Sequence, residues 1–159
     1  MHEIIKIVAK YFIVLSVIGV AIVFARLGRQ DRLRFAALLV LGGVVSYLLA
    51  KVGSHLYNDP RPFVQGHFRP LLSHAADNGF PSDHTLFTSF MAWACLVYSR
   101  KVGLALLLVA ALVGLARMAA GVHHLSDVLA SFVFAAVGCF VTRALIAKFY
   151  PKPITGNEH

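Results

Sequence analysis

The chain has 159 residues, 58% of them hydrophobic and 14% charged, with a formal net charge of +8. A soluble domain of this length has too little interior to hide that much apolar surface, and a disordered chain would be far more polar, so neither class fits. Basic residues scattered between long apolar runs point to lipid and membrane orientation rather than to nucleic acid.

Length sets one domain, residues 1–159. Five apolar stretches, near 11–25, 35–49, 85–98, 103–120 and 125–147, reach or approach the ~20 residues that a helix needs to cross a bilayer. They predict an all-α, polytopic bundle of about five spans. In the first, no small-x-small site precedes Arg26, so it reads as a retained span and not a signal peptide. In the second, Gly42 and Gly43 predict close helix packing, as Gly103 does in the fourth. The third is short and gains length by starting at Ser82 or Asp83. Trp93, Cys95 and Cys139 sit within apolar runs, which predicts buried packing and no disulfide.

Five spans leave the termini on opposite sides. Arg26, Arg29, Arg32, Arg34, Arg100, Lys101, Arg143, Lys148 and Lys152 fall on one side. Lys6, Lys10, Lys51, Arg61, Arg69 and Arg117 fall on the other. The excess of positive charge places the first group in the cytoplasm, with the N-terminus outside and the C-terminus inside. The outer side then carries the long link 57–80. Its Phe63, Phe68, Leu71, Leu72 and Phe80 are too apolar for a solvated tail and predict packing over the helix ends or on the membrane surface.

Four polar clusters meet on that outer face. Arg61-Pro62 follows the second span, and Pro81-Ser82-Asp83-His84 opens the third. Arg117 lies near the outer end of the fourth, and His123-His124-Leu125-Ser126-Asp127 opens the fifth. Pro81 with Ser82 or Asp83 suits a helix start, whose free N–H groups and partial positive charge hold an anion. Arg61 and Arg117 add forked donors suited to phosphate oxygens. His123 and Asp127 stand i, i+4 on one face of the fifth span, so the carboxylate can accept one imidazole N–H and leave the other nitrogen nucleophilic. His84 is free to protonate a leaving oxygen. The set describes phosphoryl transfer with no metal and no cofactor. His124 points about 100° away from its neighbour around a helix and reads as structural. His55, His67 and His74 read as surface loop residues, and Arg69 as a headgroup contact or a partner for a second phosphate.

Arg61-Pro62, Pro81-Ser82-Asp83-His84 and Arg117-x5-His123-x3-Asp127 resemble the three signature motifs of the type-2 phosphatidic acid phosphatase superfamily. Phe80-Pro81-Ser82-Asp83-His84-Thr85 in a short five-span chain resembles its bacterial undecaprenyl-diphosphatase branch. The resemblance implies a phosphohistidine on His123 supported by Asp127, with His84 protonating the leaving group and Arg61, Ser82 and Arg117 binding phosphate. Asp83 joins that phosphate-binding group, capping the helix or facing an outer cation. Ser54 stands where the family's first motif has lysine, and Lys51, one turn earlier, can take its place. Ala116 stands where the third motif has serine.

The expected activity is removal of the terminal phosphate from a polyprenyl (undecaprenyl) diphosphate at the outer face of a bacterial inner membrane. The expected partners are that lipid and the surrounding membrane lipids, not nucleic acid. Phosphatidylglycerophosphate, phosphatidate and lipid A are the alternative substrates, and a non-catalytic lipid-phosphate-binding relative is the alternative class. A histidine-rich cytochrome or metal carrier would place histidines face to face deep within spans, whereas these cluster at helix ends.

Overall fold

The computed structural model describes residues 1–150. Helix α1 (His2–Tyr11) runs into α2 (Ile13–Arg26), and α3 (Arg29–Ala37) continues through a π-helical turn, Leu38–Gly42, into α4 (Gly43–Leu56). The short α5 (Pro62–Gln65) interrupts the long link, and α6 (Asp83–Tyr98), α7 (Arg100–Ala119) and α8 (Leu125–Phe149) follow. No strand forms among the described residues; an isolated bridge joins Pro60 to Asn78.

Four segments, His2–Arg26, Arg29–Leu56, Arg100–Ala119 and Leu125–Phe149, are long and apolar enough to cross a membrane. The fifth, α6, has 16 residues and packs against α2, α4, α7 and α8 in the middle of the bundle. Large apolar side chains face outward along the spans, with Val40, Leu108 and Val133 all more than half exposed. Water penalises such a surface and lipid does not. This is an all-helical, multi-pass membrane bundle.

The apolar run expected from residue 11 is the second half of a longer helical segment that begins at His2. Lys6 and Lys10 break the hydropathy there but not the helix, because Ile4, Ile5, Ile7 and Val8 carry the apolar pattern past them. A tightened turn at Phe12, where the Leu15 N–H donates to the Phe12 carbonyl at 3.0 Å, separates α1 from α2. The third span begins at Asp83, one of the two expected starts.

Phe35, Leu38, Leu86 and Phe90 form the core with Cys95 and Cys139, which are buried free thiols. Close approach of α4 and α8 depends on Gly138. A Cβ there would collide with Ser46 Oγ and lie 2.9 Å from the Gly42 carbonyl oxygen. Gly138→Val is therefore expected to push the helices apart and destabilise the protein by about 1–3 kcal/mol. A thermal midpoint in detergent, at fixed scan rate, equal to or above that of the unmodified protein would contradict this.

The start of the chain and the link 57–80 lie at the same end of the bundle. Met1 and His2 share a cavity with Phe68, Arg69 and Gly121. At the opposite end an Arg34 Nη donates to the Tyr150 carbonyl at 3.0 Å. Lys152, counted among the cytoplasmic cations, lies outside the described residues. The link packs over the helix ends: Phe63 N–H donates to the Gly121 carbonyl and Leu71 N–H to the Ala120 carbonyl, at 3.2 and 3.0 Å. Gly121 makes the α7–α8 turn with φ of +78°, a conformation costly for residues with a Cβ.

Candidate functional site

Asn78 ties the link to the end of α4. Its side-chain amide donates to the Ser54 and Tyr57 carbonyls, while its Oδ1 accepts from the Asp59 and Phe80 N–H groups, all at 2.9–3.0 Å. Asp59, which is buried, reaches across to the start of α8. Its Oδ2 accepts from Ser126 Oγ at 3.0 Å, and its Oδ1 lies 3.2 Å from His124 Nδ1. The stretch just before Arg61 is thereby fastened to the start of the helix that follows His123.

Arg61 is 5% exposed, and its guanidinium is aimed by three acceptors. Nε donates to Asp77 Oδ1 at 2.7 Å, Nη1 to the Val122 carbonyl at 2.9 Å, and Nη2 to the Asn78 carbonyl at 3.4 Å. The hydrogen bond from Arg61 is the main reason that the Asp77 carboxyl is held below the usual carboxylate range. Arg61 Nη1 also lies 3.3 Å from His123 Nε2, and an Nη of Arg117, on the last turn of α7, lies 3.5 Å from the same atom. Arg117 is buried, and its Nε has no hydrogen-bond partner among the described residues.

His123 is buried, with Nδ1 3.2 Å from Asp127 Oδ2. The same carboxylate oxygen accepts the His124 backbone N–H at 2.9 Å. This arrangement favours the tautomer with the proton on Nδ1, so the Nε2 lone pair faces two guanidinium groups. Burial is the largest influence on the imidazole and lowers its pKa; the hydrogen bond with Asp127 opposes this, and Arg117 and Arg61 reinforce it. His123 is thus held as the neutral base, inside a cationic cage.

One part of the expectation is corrected. His123 lies before α8, not on it, because His124 is the N-cap and the helix begins at Leu125. The i, i+4 contact survives because Asp127, in the first helical turn, reaches back over the helix end rather than along its face.

Ser82 is fully buried as the N-cap of α6. Its Oγ accepts from Thr85 Oγ1 at 3.1 Å, and its carbonyl accepts from Ser131 Oγ at 2.9 Å, joining α6 to α8. Its N–H donates to the Asp127 carbonyl at 3.4 Å. His84, half-buried on the first turn of α6, lies within electrostatic reach of Arg117, His123 and His74. Lys51 and Asp83 line one polar cavity with Arg61. Ser54 bends back to the Lys51 carbonyl at 2.8 Å, and the Lys51 ammonium sits 5.2 Å from the centre of the Tyr47 ring. Arg69 is apart from the other site residues, exposed in the cavity beside the N-terminus.

Asp59, His74, Asp77 and Asn78 join the site although no sequence signal marked them. His74, read as a surface residue, brings its ring centre to 6.2 Å from that of His123, edge to face. Its Nδ1 is 3.8 Å from Asp77 Oδ1. Burial, with Arg61 and Arg117 nearby, lowers the His74 pKa. Among the described residues one group could hold a metal ion: Asp59, His124 and Asp127 each bring a ligand atom within 4.8 Å of the others. Asp127 meets the His123 ring at Nδ1, whereas the arginines meet it at Nε2.

A family model described as the PAP2 superfamily matches residues 32–151. The chain is 40% identical over 98 residues to the undecaprenyl-diphosphatase BcrC of Bacillus subtilis (strain 168), covering 62% of this chain and 49% of that protein. It is 28% identical over 131 residues to the bacitracin transport permease protein BcrC of Bacillus licheniformis, covering 82% and 64% respectively. The chain thus spans about half to two thirds of the length of these relatives. Its fold is similar to the crystal structure of a transmembrane PAP2-type phosphatidylglycerolphosphate phosphatase from Bacillus subtilis. There the TM-score is 0.65 at 24% identity, covering 96% of this chain and 79% of that one.

Proposed function

Because the chain belongs to the PAP2 superfamily, we propose that it is a membrane lipid phosphatase that removes the terminal phosphate of a polyprenyl diphosphate. The observation that carries this reading is the environment of His123 Nε2, an imidazole nitrogen 3.3 and 3.5 Å from two buried guanidinium groups. A tetrahedral phosphate placed there would take over those N–H donors while its phosphorus meets the lone pair.

The steps proposed for that site are these. His123 Nε2 attacks the terminal phosphorus, forming an N–P bond as the bridging P–O bond breaks. The lipid monophosphate departs with a proton from His84, and Asp127 stabilises the charge that develops on the imidazole. Water then attacks the phosphohistidine, giving its proton to His84 and releasing phosphate with Nε2 restored. Arg61 and Arg117 stabilise the transferring group, supported by Ser82 and the N-terminus of α6, so the charge is met without a metal ion. The polyprenyl assignment follows the relative named undecaprenyl-diphosphatase. We place the site at the outer face of a bacterial inner membrane, with the N-terminus outside, on the distribution of basic residues.

The test is phosphate release in EDTA by purified protein given undecaprenyl diphosphate, phosphatidylglycerophosphate, phosphatidate and lipid A side by side. Fastest turnover of the diphosphate supports the assignment. A higher rate on one of the others replaces the substrate and keeps the reaction, and loss of activity in EDTA overturns the metal-free step. Arg61→Lys keeps a charge but loses the fork that Asp77, Val122 and Asn78 aim, so kcat/KM should fall about 10²-fold. A change below threefold would remove Arg61 from the phosphate cage.

A further inference from the structure

Two cavities adjoin each other, and His123, which lines neither, reaches the polar one through its neighbours Arg61 and His74. The polar one, about 340 Å³, has Arg61, His74, Asp77 and Asn78 in its lining. The other, about 620 Å³, is an apolar groove between α2, α4 and α6, lined by Leu86, Phe87, Phe90 and Met91 among others. Tyr47, Lys51 and Asp83 line both, so the two meet there. The sequence in space is therefore nucleophile, polar cavity, junction, apolar groove.

This order constrains the substrate. A hydrocarbon tail is accommodated by the groove, while the attacked phosphorus must come within about 3–3.5 Å of His123 Nε2. With a single phosphate, the first methylenes would cross the polar cavity. They would strip water from Lys51, Asp77 and Asn78 without replacing its hydrogen bonds. A second phosphate would span the same stretch with acceptor oxygens and bring the tail out at the groove.

We propose that the polar cavity holds the phosphate that stays on the lipid, contacted by Lys51 from α4 and by His74 from the link, so that the site selects lipid diphosphates over monophosphates. The proposal rests on the reading that His123 attacks the terminal phosphorus. Lys51 is placed for it at the junction, where a point charge can meet the phosphate nearest the tail. His74 is placed for it by Asp77, which is itself pinned to Arg61 at 2.7 Å. A phosphate dianion on one side of the His74 ring and the Asp77 carboxylate on the other favour an imidazolium that donates from both nitrogens. Arg61, on the attacked phosphate, and His74, on its neighbour, thus belong to one link and are joined through Asp77.

The experiment compares farnesyl diphosphate with farnesyl monophosphate, in turnover by the full chain and in calorimetric binding to His123→Ala protein, which separates affinity from chemistry. Lys51→Met and His74→Ala are each introduced into both backgrounds, with thermal midpoints to confirm folding. The expected result is that the diphosphate-to-monophosphate ratio falls at least tenfold in both binding and kcat/KM, chiefly through weaker binding of the diphosphate. A binding ratio unchanged in both variants overturns the subsite, whatever happens to turnover. If the binding ratio falls as expected while unmodified protein releases phosphate from neither lipid, the subsite stands and the phosphatase reading fails.

Discussion

His123→Ala is expected to lower kcat/KM for phosphate release by about 10⁴-fold or more, because a covalent route loses its nucleophile and the arginine cage alone retains little chemistry. Substrate binding should survive, since Arg61 is held by Asp77, Val122 and Asn78 independently of the imidazole. Two measurements together make the result specific. With substrate labelled at the terminal phosphorus, unmodified protein quenched during turnover should carry acid-labile, alkali-stable label, and the variant should carry none. The variant must also keep its thermal midpoint within a few degrees, because a buried ring has been removed. Activity within tenfold of the unmodified protein would sink the assignment of His123, and label that survives acid would transfer the covalent step to another side chain.

Asp127→Asn should cost about 10³-fold or more, as expected when an imidazole loses the carboxylate that orients it and balances its charge. The substitution keeps an oxygen able to accept the His124 N–H, so α8 retains its first turn. It also has a pH signature. Asp127 raises the pKa of His123, against the lowering caused by burial and the two arginines. Removing that charge leaves only the lowering influences. The neutral, reactive imidazole then persists to more acidic pH, and the acid limb of kcat/KM moves down while the plateau falls. Comparing both proteins on the same substrate cancels the ionisation of the phosphate itself. An acid limb that stays in place or moves up would mean that Asp127 does not govern the titration of His123.

The spans were legible because lipid imposes one uniform demand on composition, readable from length and hydropathy alone. The α1 portion was not, since Lys6 and Lys10 near a membrane surface cost little and interrupt only the hydropathy. Arg61, Ser82, His84, Arg117, His123 and Asp127 could be grouped because each lies at a helix end, and topology fixes the depth of helix ends. His74 and Asp77 could not. They sit in a link without periodicity, and their place depends on backbone bonds from Phe63, Leu71 and Gly79 to distant residues. Asp59 was hidden for the same reason, as its partners Ser126 and His124 are more than sixty positions away. His123 was read onto the fifth span, two residues before α8 begins, because histidine is not among the preferred N-cap residues.

A single oxygen, Asp127 Oδ2, receives both the His123 ring and the His124 backbone N–H. Position 127 is therefore pleiotropic: one substitution can weaken the helix start and disarm the nucleophile together. Second-site changes that strengthen α8 would rescue the amount of folded protein made by a 127 variant but leave turnover per molecule unrestored. Epistasis at this position would thus run in one direction, with abundance recoverable from elsewhere in the chain and chemistry recoverable only by reversion.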